Sequence, residues 1–261
     1  MKKEAFIFLL LIGSSLYSQS VMRIWKSGVK VDSMFVTSDL KISFGVNSVN
    51  TSNGLVAYYP FSGNANDASG NGNNGVVNGT NLASDRFGLP DKAYYFPGAN
   101  GYISVANSET INIADSNSFA ISFWINTEKI QKQGIISKWG PNTQYNQYLV
   151  FMELNGKIGF WANASSAGLY SNSALSINQW VHVLCETTET QRKIYINGVL
   201  DTQDSGIFSR QSSTQNLEIG RMEGSNYYFK GTIDDIRIYN RVLNEVEIQT
   251  LFHDGNWAGR K

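Results

Sequence analysis

The chain has 261 residues, with 21 basic and 21 acidic side chains, a formal net charge of zero and a sequence pI near 6.7. That balance excludes the basic stripe that a nucleic acid or an anionic surface would need, and a lone cysteine, Cys185, excludes an intramolecular disulfide. Aromatic residues at 13%, charged residues at only 16% and 24 glycines suit an all-β chain with many turns.

Residues 1–18 read as an export signal: Lys2 and Lys3, an apolar run at 5–12, then small polar residues leading to a cleavage point between Ser18 and Gln19. The run is too short to span a bilayer, and no later segment approaches about 18 unbroken apolar residues. The expectation is a secreted, soluble mature chain with no transmembrane segment. Residues 19–53 follow as a short hairpin-like segment and linker, in which 22–26 and 34–36 alternate around Ser27-Gly28 and 40–44 adds a third short run. This stretch is too small to bury a core alone.

Residues 54–255 are a succession of short alternating or apolar segments parted by Gly, Asn, Asp and Ser clusters. Strands are predicted at 55–61, 93–96, 102–105, 119–125, 134–139, 147–154, 157–162, 180–186, 193–196, 217–220 and 231–239, which together fit one β-sandwich or barrel. Asn155-Gly156 and Asn197-Gly198 can each supply the two positive φ values of a type I′ turn, so both predict tight hairpins. Asn244, with Glu247 three residues on, predicts a capped helix whose apolar stripe is Ile248, Leu251 and Phe252. Cys185, inside the apolar run 180–185, reads as a buried small hydrophobe.

Several of these segments resemble, in order, the laminin-G-like jelly-roll domains of the concanavalin A-like lectin/glucanase superfamily. They are GLVAYYPFSGNANDASGNGNNG (54–75), DRFGLPDKAYYFPGANGYISV (85–105), FAISFWINT (119–127), QWVHVLC (179–185), KIYINGVL (193–200) and GTIDDIRIYNRVLNEVEIQTLF (231–252). The resemblance implies a two-sheet antiparallel jelly-roll β-sandwich with a short C-terminal helix, and the first and last strands of the domain close together. Where relatives carry paired histidines after the tryptophan, this chain has Val181 before His182. The superfamily holds sugar binders, adhesive modules and glycosidases, so fold leaves function open.

Calcium takes six to eight oxygens from a sharply turning loop, and residues 64–72 are dense in Asn, Asp and Ser. Read as an EF-hand, the loop has Asn78 where the closing Glu should stand, and no helices flank it. The expected structural Ca2+ site therefore joins Asn64 and Asp67 to Asp234 or Asp235, which the resemblance places on a strand beside the first one. The competing reading is a loop of hydrogen-bonded Asx turns.

Catalysis on this scaffold would need a Glu-x-Asp-x-x-Glu strand, and the nearest match, Glu218 to Glu223, has Gly220 in the Asp position. His182 and His253 belong to no nucleophile set. The chain is accordingly read as no enzyme but a secreted binding module, for an extracellular glycan or alternatively a cell-surface protein. Sugar sites use flat aromatic faces beside amides and carboxylates. Three such patches stand out: Trp139 with Tyr145 and Tyr148, Tyr227 with Tyr228, and Trp161. Trp139, Tyr145, Tyr148 and Tyr227 are the candidate ligand-binding residues.

Overall fold

The computed structural model describes residues 20–26, 29–36, 49–113, 118–140, 146–162, 167–208, 212–222 and 224–254. The export run at 1–18 and the segment 40–44 lie outside the described residues. The chain divides into two compact units at Ser48 and Val49. In the first, β1 (Ser20–Lys26) and β2 (Val29–Val36) pair antiparallel, from Ser20 opposite Val36 to Lys26 opposite Val29.

The second unit is an all-β sandwich of two antiparallel sheets and one short helix. Its strands are β3 (Leu55–Tyr59), β4 (Gly75–Asn78), β5 (Asn81–Ala83), β6 (Ala93–Pro97), β7 (Tyr102–Val105), β8 (Phe119–Thr127), β9 (Gln133–Lys138) and β10 (Tyr148–Met152). They continue as β11 (Lys157–Trp161), β12 (Leu169–Ala174), β13 (Trp180–Thr187), β14 (Gln191–Ile196), β15 (Val199–Ser205), β16 (Leu217–Ile219) and β17 (Lys230–Tyr239), followed by α1 (Glu245–His253). One sheet runs β12-β11-β10-β9-β16-β7-β4, and the other β15-β14-β13-β8-β17-β6-β5. The ten-residue β17 pairs with β6 through its first half and with β3 through its second, so the first and last strands of the sandwich are neighbours.

Residues alternate along each strand between the space between the sheets and the outer surface. Phe96, Ile103, Phe123, Val150, Phe160 and Ile236 are among those that fill the inside. Cys185 is fully buried there too, and burial pushes its thiol pKa up, so it behaves as a small apolar residue. The outer face of the eight-stranded sheet is also covered, because α1 lays Ile248 and Leu251 on Ala120, Leu184 and Tyr239. The predicted capping box starts this helix: Asn244 accepts from the Glu247 amide, and Glu247 accepts in return from the Asn244 amide.

Two local expectations change. Asn197 and Gly198, at φ 50° and 74°, do form the two-residue turn between β14 and β15. At Asn155-Gly156 only Gly156 has positive φ, 78°, and the connection is the four-residue loop 153–156, closed by the Gly156 amide on the Glu153 carbonyl. The second change is in β17, where strict alternation would put Asp234 on the face of Ile236 and Ile238. A bulge intervenes, with Asp235 at φ 51° and a register shift between Asp234 and Arg237. Ile233, Ile236 and Ile238 therefore all point inward, while Asp234 and Arg237 face outward.

Candidate functional site

The two sheets present very different outer faces. On the eight-stranded sheet the bulge turns Asp234 and Asp235 toward Arg86, which arrives on the loop between β5 and β6. Arg86 Nη1 stands 2.8 Å from Asp234 Oδ2, and Nη2 stands 2.8 Å from Asp235 Oδ2 and from the Asp254 carbonyl. Arg237 reaches Asp254 Oδ2 at 2.8 Å and the Tyr58 hydroxyl at 3.0 Å, and that hydroxyl donates to Asp235 Oδ1 at 3.0 Å. Burial and the adjoining Asp235 carboxylate push the pKa of Asp234 up to about 8 despite Arg86. Beside them His182, 1% exposed, has Nε2 at 2.8 Å from the Ser122 hydroxyl, and burial holds its pKa down at about 3.

Asp67 lies elsewhere. Its Oδ1 accepts from the Tyr58 and Ser69 amides at 2.9 and 2.8 Å, and its Oδ2 from the Ser69 hydroxyl and the Asn73 amide at 2.9 and 3.0 Å. Asn64 Oδ1 caps the Asn66 amide at 2.8 Å. Asp67 thus holds the backbone end of Tyr58, while Asp235 holds the hydroxyl at the opposite end of the same side chain. The four residues do not converge. Four donors occupy the Asp67 oxygens and Arg86 bridges Asp234 and Asp235, so this donor set does not fit a shared calcium ion. Among the described residues no group of three or more His, Cys, Asp and Glu side chains is placed to hold a metal.

The outer face of the seven-stranded sheet carries an open groove of about 260 Å³. Pairing places Leu149 of β10 opposite Trp161 of β11, and Phe151 opposite Gly159, which itself faces Tyr170 of β12. Phe151 and Trp161 have ring centroids 4.7 Å apart, and Tyr170 meets Trp161 edge-on at 5.5 Å. Gly159 makes this cluster possible, because a Cβ there would stand 2.6 Å from the Phe151 ring and 2.9 Å from the Trp161 ring. Trp139, at the end of β9, and Tyr227, from the loop before β17, complete the lining. Tyr227 is held over the sheet because its carbonyl accepts from the Gly134 amide at 2.9 Å. Lys132 and Glu153 are the charged residues of the groove.

Of the ligand-binding candidates, the fold gathers Trp139 and Tyr227, and joins to them the Trp161 of the third patch. Tyr148 is corrected: it is fully buried, with its ring 5.3 Å from that of Phe119, because it occupies the inward phase of β10. Tyr145 lies outside the described residues. Phe151 and Tyr170 were not singled out from the sequence. The signal for Phe151 is the unbroken apolar stretch of β10, which makes both of its faces apolar where a solvent-facing antiparallel strand should alternate, whereas Tyr170, in the more polar β12, carries no such signal.

Glu218, the first carboxylate of the pattern considered above, is tied to its neighbours. It is 1% exposed, accepts from the Ser104 hydroxyl at 2.9 Å and from Arg221 Nε at 3.1 Å. Gly220 sits at φ 83° with the Phe96 ring filling the space where a side chain would begin. Glu223 lies outside the described residues.

The chain belongs to the concanavalin A-like lectin/glucanase superfamily: the Laminin_G_3 family model matches residues 97–249. Paraclostridial mosquitocidal protein 1 of Paraclostridium bifermentans is 26% identical over 176 residues, which are 59% of this chain and 14% of that protein. The crystal structure of its binding domain superposes with a TM-score of 0.65 at 20% identity, covering 78% of this chain and 52% of that one. The binding domain of botulinum neurotoxin serotype G gives 0.63 at 20% identity, over 78% and 51%. Domain 4 of AbnA, an extracellular GH43 arabinanase from Geobacillus stearothermophilus, solved with arabinotriose, gives 0.60 at 21% identity, over 76% and 97%. These likenesses show a shared fold. This chain spans a small part of the curated relative and about half of the toxin structures it matches.

Proposed function

We propose that this superfamily member is a non-catalytic, extracellular glycan-binding module, and that the groove on the seven-stranded sheet is its binding site. One observation carries the reading. Aromatic residues from five separate stretches of chain, Trp139, Phe151, Trp161, Tyr170 and Tyr227, meet on an outer face that folding has no need to make apolar. Flat rings in an open groove suit the apolar faces of sugar rings, while flanking polar groups suit their hydroxyls. The family match and the fold shared with an arabinanase domain solved with arabinotriose support this reading, as do the toxin binding domains of the same fold. The buried, hydrogen-bonded Glu218 and the filled space at Gly220 argue against glycosidase chemistry. The apolar run at 5–12 behind Lys2 and Lys3 supports export.

The test is affinity electrophoresis of the purified chain through gels containing arabinan, xylan, galactan or β-glucan. Retention by at least one is expected, and Trp161→Ala should weaken it about thirtyfold, corresponding to roughly 2 kcal/mol of lost stacking. Unretarded migration in every gel, or a Trp161→Ala variant retarded like the parent, would overturn the reading.

A further inference from the structure

We infer that the Lys132–Glu153 pair is the specificity element of this groove and that it selects neutral, diol-bearing glycans over anionic ones, an inference that rests on the glycan reading above. Both charged residues of the groove belong to this one pair. Lys132 Nζ stands 3.5 Å from Glu153 Oε1, a loose contact with both side chains partly open to solvent, at 39% and 20%. Such a surface pair contributes little to folding. The ammonium is nevertheless fixed in place, because Nζ lies 5.7 Å from the ring centroids of both Phe151 and Tyr227. Cation–π attraction from two rings, with a carboxylate alongside, holds it at the polar edge of an aromatic surface.

A donor and an acceptor side by side match two adjacent hydroxyls, since one hydroxyl can accept from the ammonium while its neighbour donates to the carboxylate. A hydrogen bond to an ammonium or a carboxylate is of the stronger, charge-assisted kind. An anionic sugar gains nothing comparable. Its carboxylate or sulfate would meet Lys132 and Glu153 at similar range, and attraction and repulsion of about equal size cancel. The formal charge of the whole chain is zero, so no long-range field draws an anionic polymer in.

The experiment compares gels containing neutral polymers (arabinan, xylan, galactan, β-glucan) with gels containing polygalacturonate or alginate, at low and high salt. The parent chain should be retarded by a neutral polymer, independently of salt, and pass freely through the anionic ones. Glu153→Gln should gain retardation by polygalacturonate at low salt that high salt abolishes, and Lys132→Gln should weaken neutral binding by about tenfold. A parent chain retarded by a neutral polymer but more strongly by the anionic ones, or a Glu153→Gln variant with the parent's preference, overturns the inference and leaves the glycan reading standing. Free migration of the parent through all gels overturns both. Melting curves of the two variants matching the parent keep any change assigned to the groove.

Discussion

The two outer faces of the sandwich solve the same problem in opposite ways. Each sheet needs only its inner face to build the core, and each nevertheless carries large side chains outside. On the eight-stranded sheet those side chains are roofed by α1, with Trp124 stacked on Phe252 at 5.9 Å, and are locked by Arg86, Asp234, Asp235, Arg237 and Asp254. On the seven-stranded sheet they are left open, with Tyr170 and Tyr227 40% and 39% exposed. The difference teaches where stability ends and recognition begins: aromatics that the chain covers belong to folding, and aromatics that it leaves uncovered are free for a ligand.

The sharpest way to break this contrast is to unlock the roofed face. Arg86 is the only described cation within ion-pair distance of Asp234 and one of two at Asp235. Asp234, with its raised pKa, can stay protonated without Arg86, but the Asp235 carboxylate would keep only Arg237, at 3.6 Å, and losing the nearer partner of a buried ion pair costs about 3–5 kcal/mol. Arg86→Ala is expected to lower the unfolding free energy read from urea curves by that amount and to loosen α1, whose C-terminal end Arg86 holds through the Asp254 carbonyl. An unfolding free energy within about 1 kcal/mol of the parent's would show that the ion pairs are incidental to the roof.

The same face should also set the pH dependence. His182 has a folded pKa of about 3 against an ordinary 6.5, so its contribution is present above pH 6.5 and is lost as pH falls, because the unfolded chain takes up a proton that the folded one refuses. Asp234 has a folded pKa of about 8 against 3.8, so its contribution is present below pH 3.8 and is lost as pH rises toward 8. Between about 4 and 6.5 the two slopes oppose each other, at about 1.4 kcal/mol per pH unit apiece. His182→Asn removes one of them. Relative to the parent, the variant should gain stability on acidification through that window, measured as urea midpoints at successive pH values. Parallel curves for the two proteins would mean that His182 does not titrate on unfolding in this range.

How far the sequence could be read divides along the same line. The strands of the sandwich that hydrophobic pattern announces, such as β8, β10, β13 and β17, have neighbours on both sides, with β3, paired with β17 alone, the exception. The four it does not announce, β4, β5, β12 and β15, are the outermost strands of the two sheets. β12 (Leu-Tyr-Ser-Asn-Ser-Ala) and β15 (Val-Leu-Asp-Thr-Gln-Asp-Ser) are rich in polar residues because an edge buries little and must resist further pairing, and β4 and β5 are only four and three residues long. The bulge at Asp235 was equally hidden, since a non-glycine residue at positive φ leaves no mark in a period-two pattern. In the groove, Trp139, Trp161 and Tyr227 were legible as isolated aromatics beside amides. That they share one site depends on strand order, which no local pattern contains.

Asp67 offers a further test, on a loop that belongs to neither face. Its carboxylate receives hydrogen bonds from four donors, and charge-assisted bonds of this kind contribute about 1.5–3 kcal/mol each in favourable settings, discounted here because Asp67 is partly exposed. Asp67→Ala should cost about 2 kcal/mol in all. Since those donors leave no room for a cation, neither parent nor variant should change melting temperature between excess calcium and a chelator. A rise of several degrees in calcium, confined to the parent, would restore the metal site expected from the loop's composition.

The smallest expected effect is the one that most directly separates the faces. Tyr227 is 39% exposed, is fixed by its backbone carbonyl on the Gly134 amide, and touches the rest of the groove through the Lys132 ammonium 5.7 Å from its ring. Truncating it to alanine keeps the backbone hydrogen bond and removes only a ring that folding leaves in water. The change in stability should therefore stay within about 0.5 kcal/mol, as for surface positions generally, while retention by whichever neutral polymer binds the parent weakens severalfold. If Tyr227→Ala instead melts markedly lower and binds as before, then the open face is part of the fold after all, and the distinction between covered and uncovered aromatics fails at the residue chosen to display it.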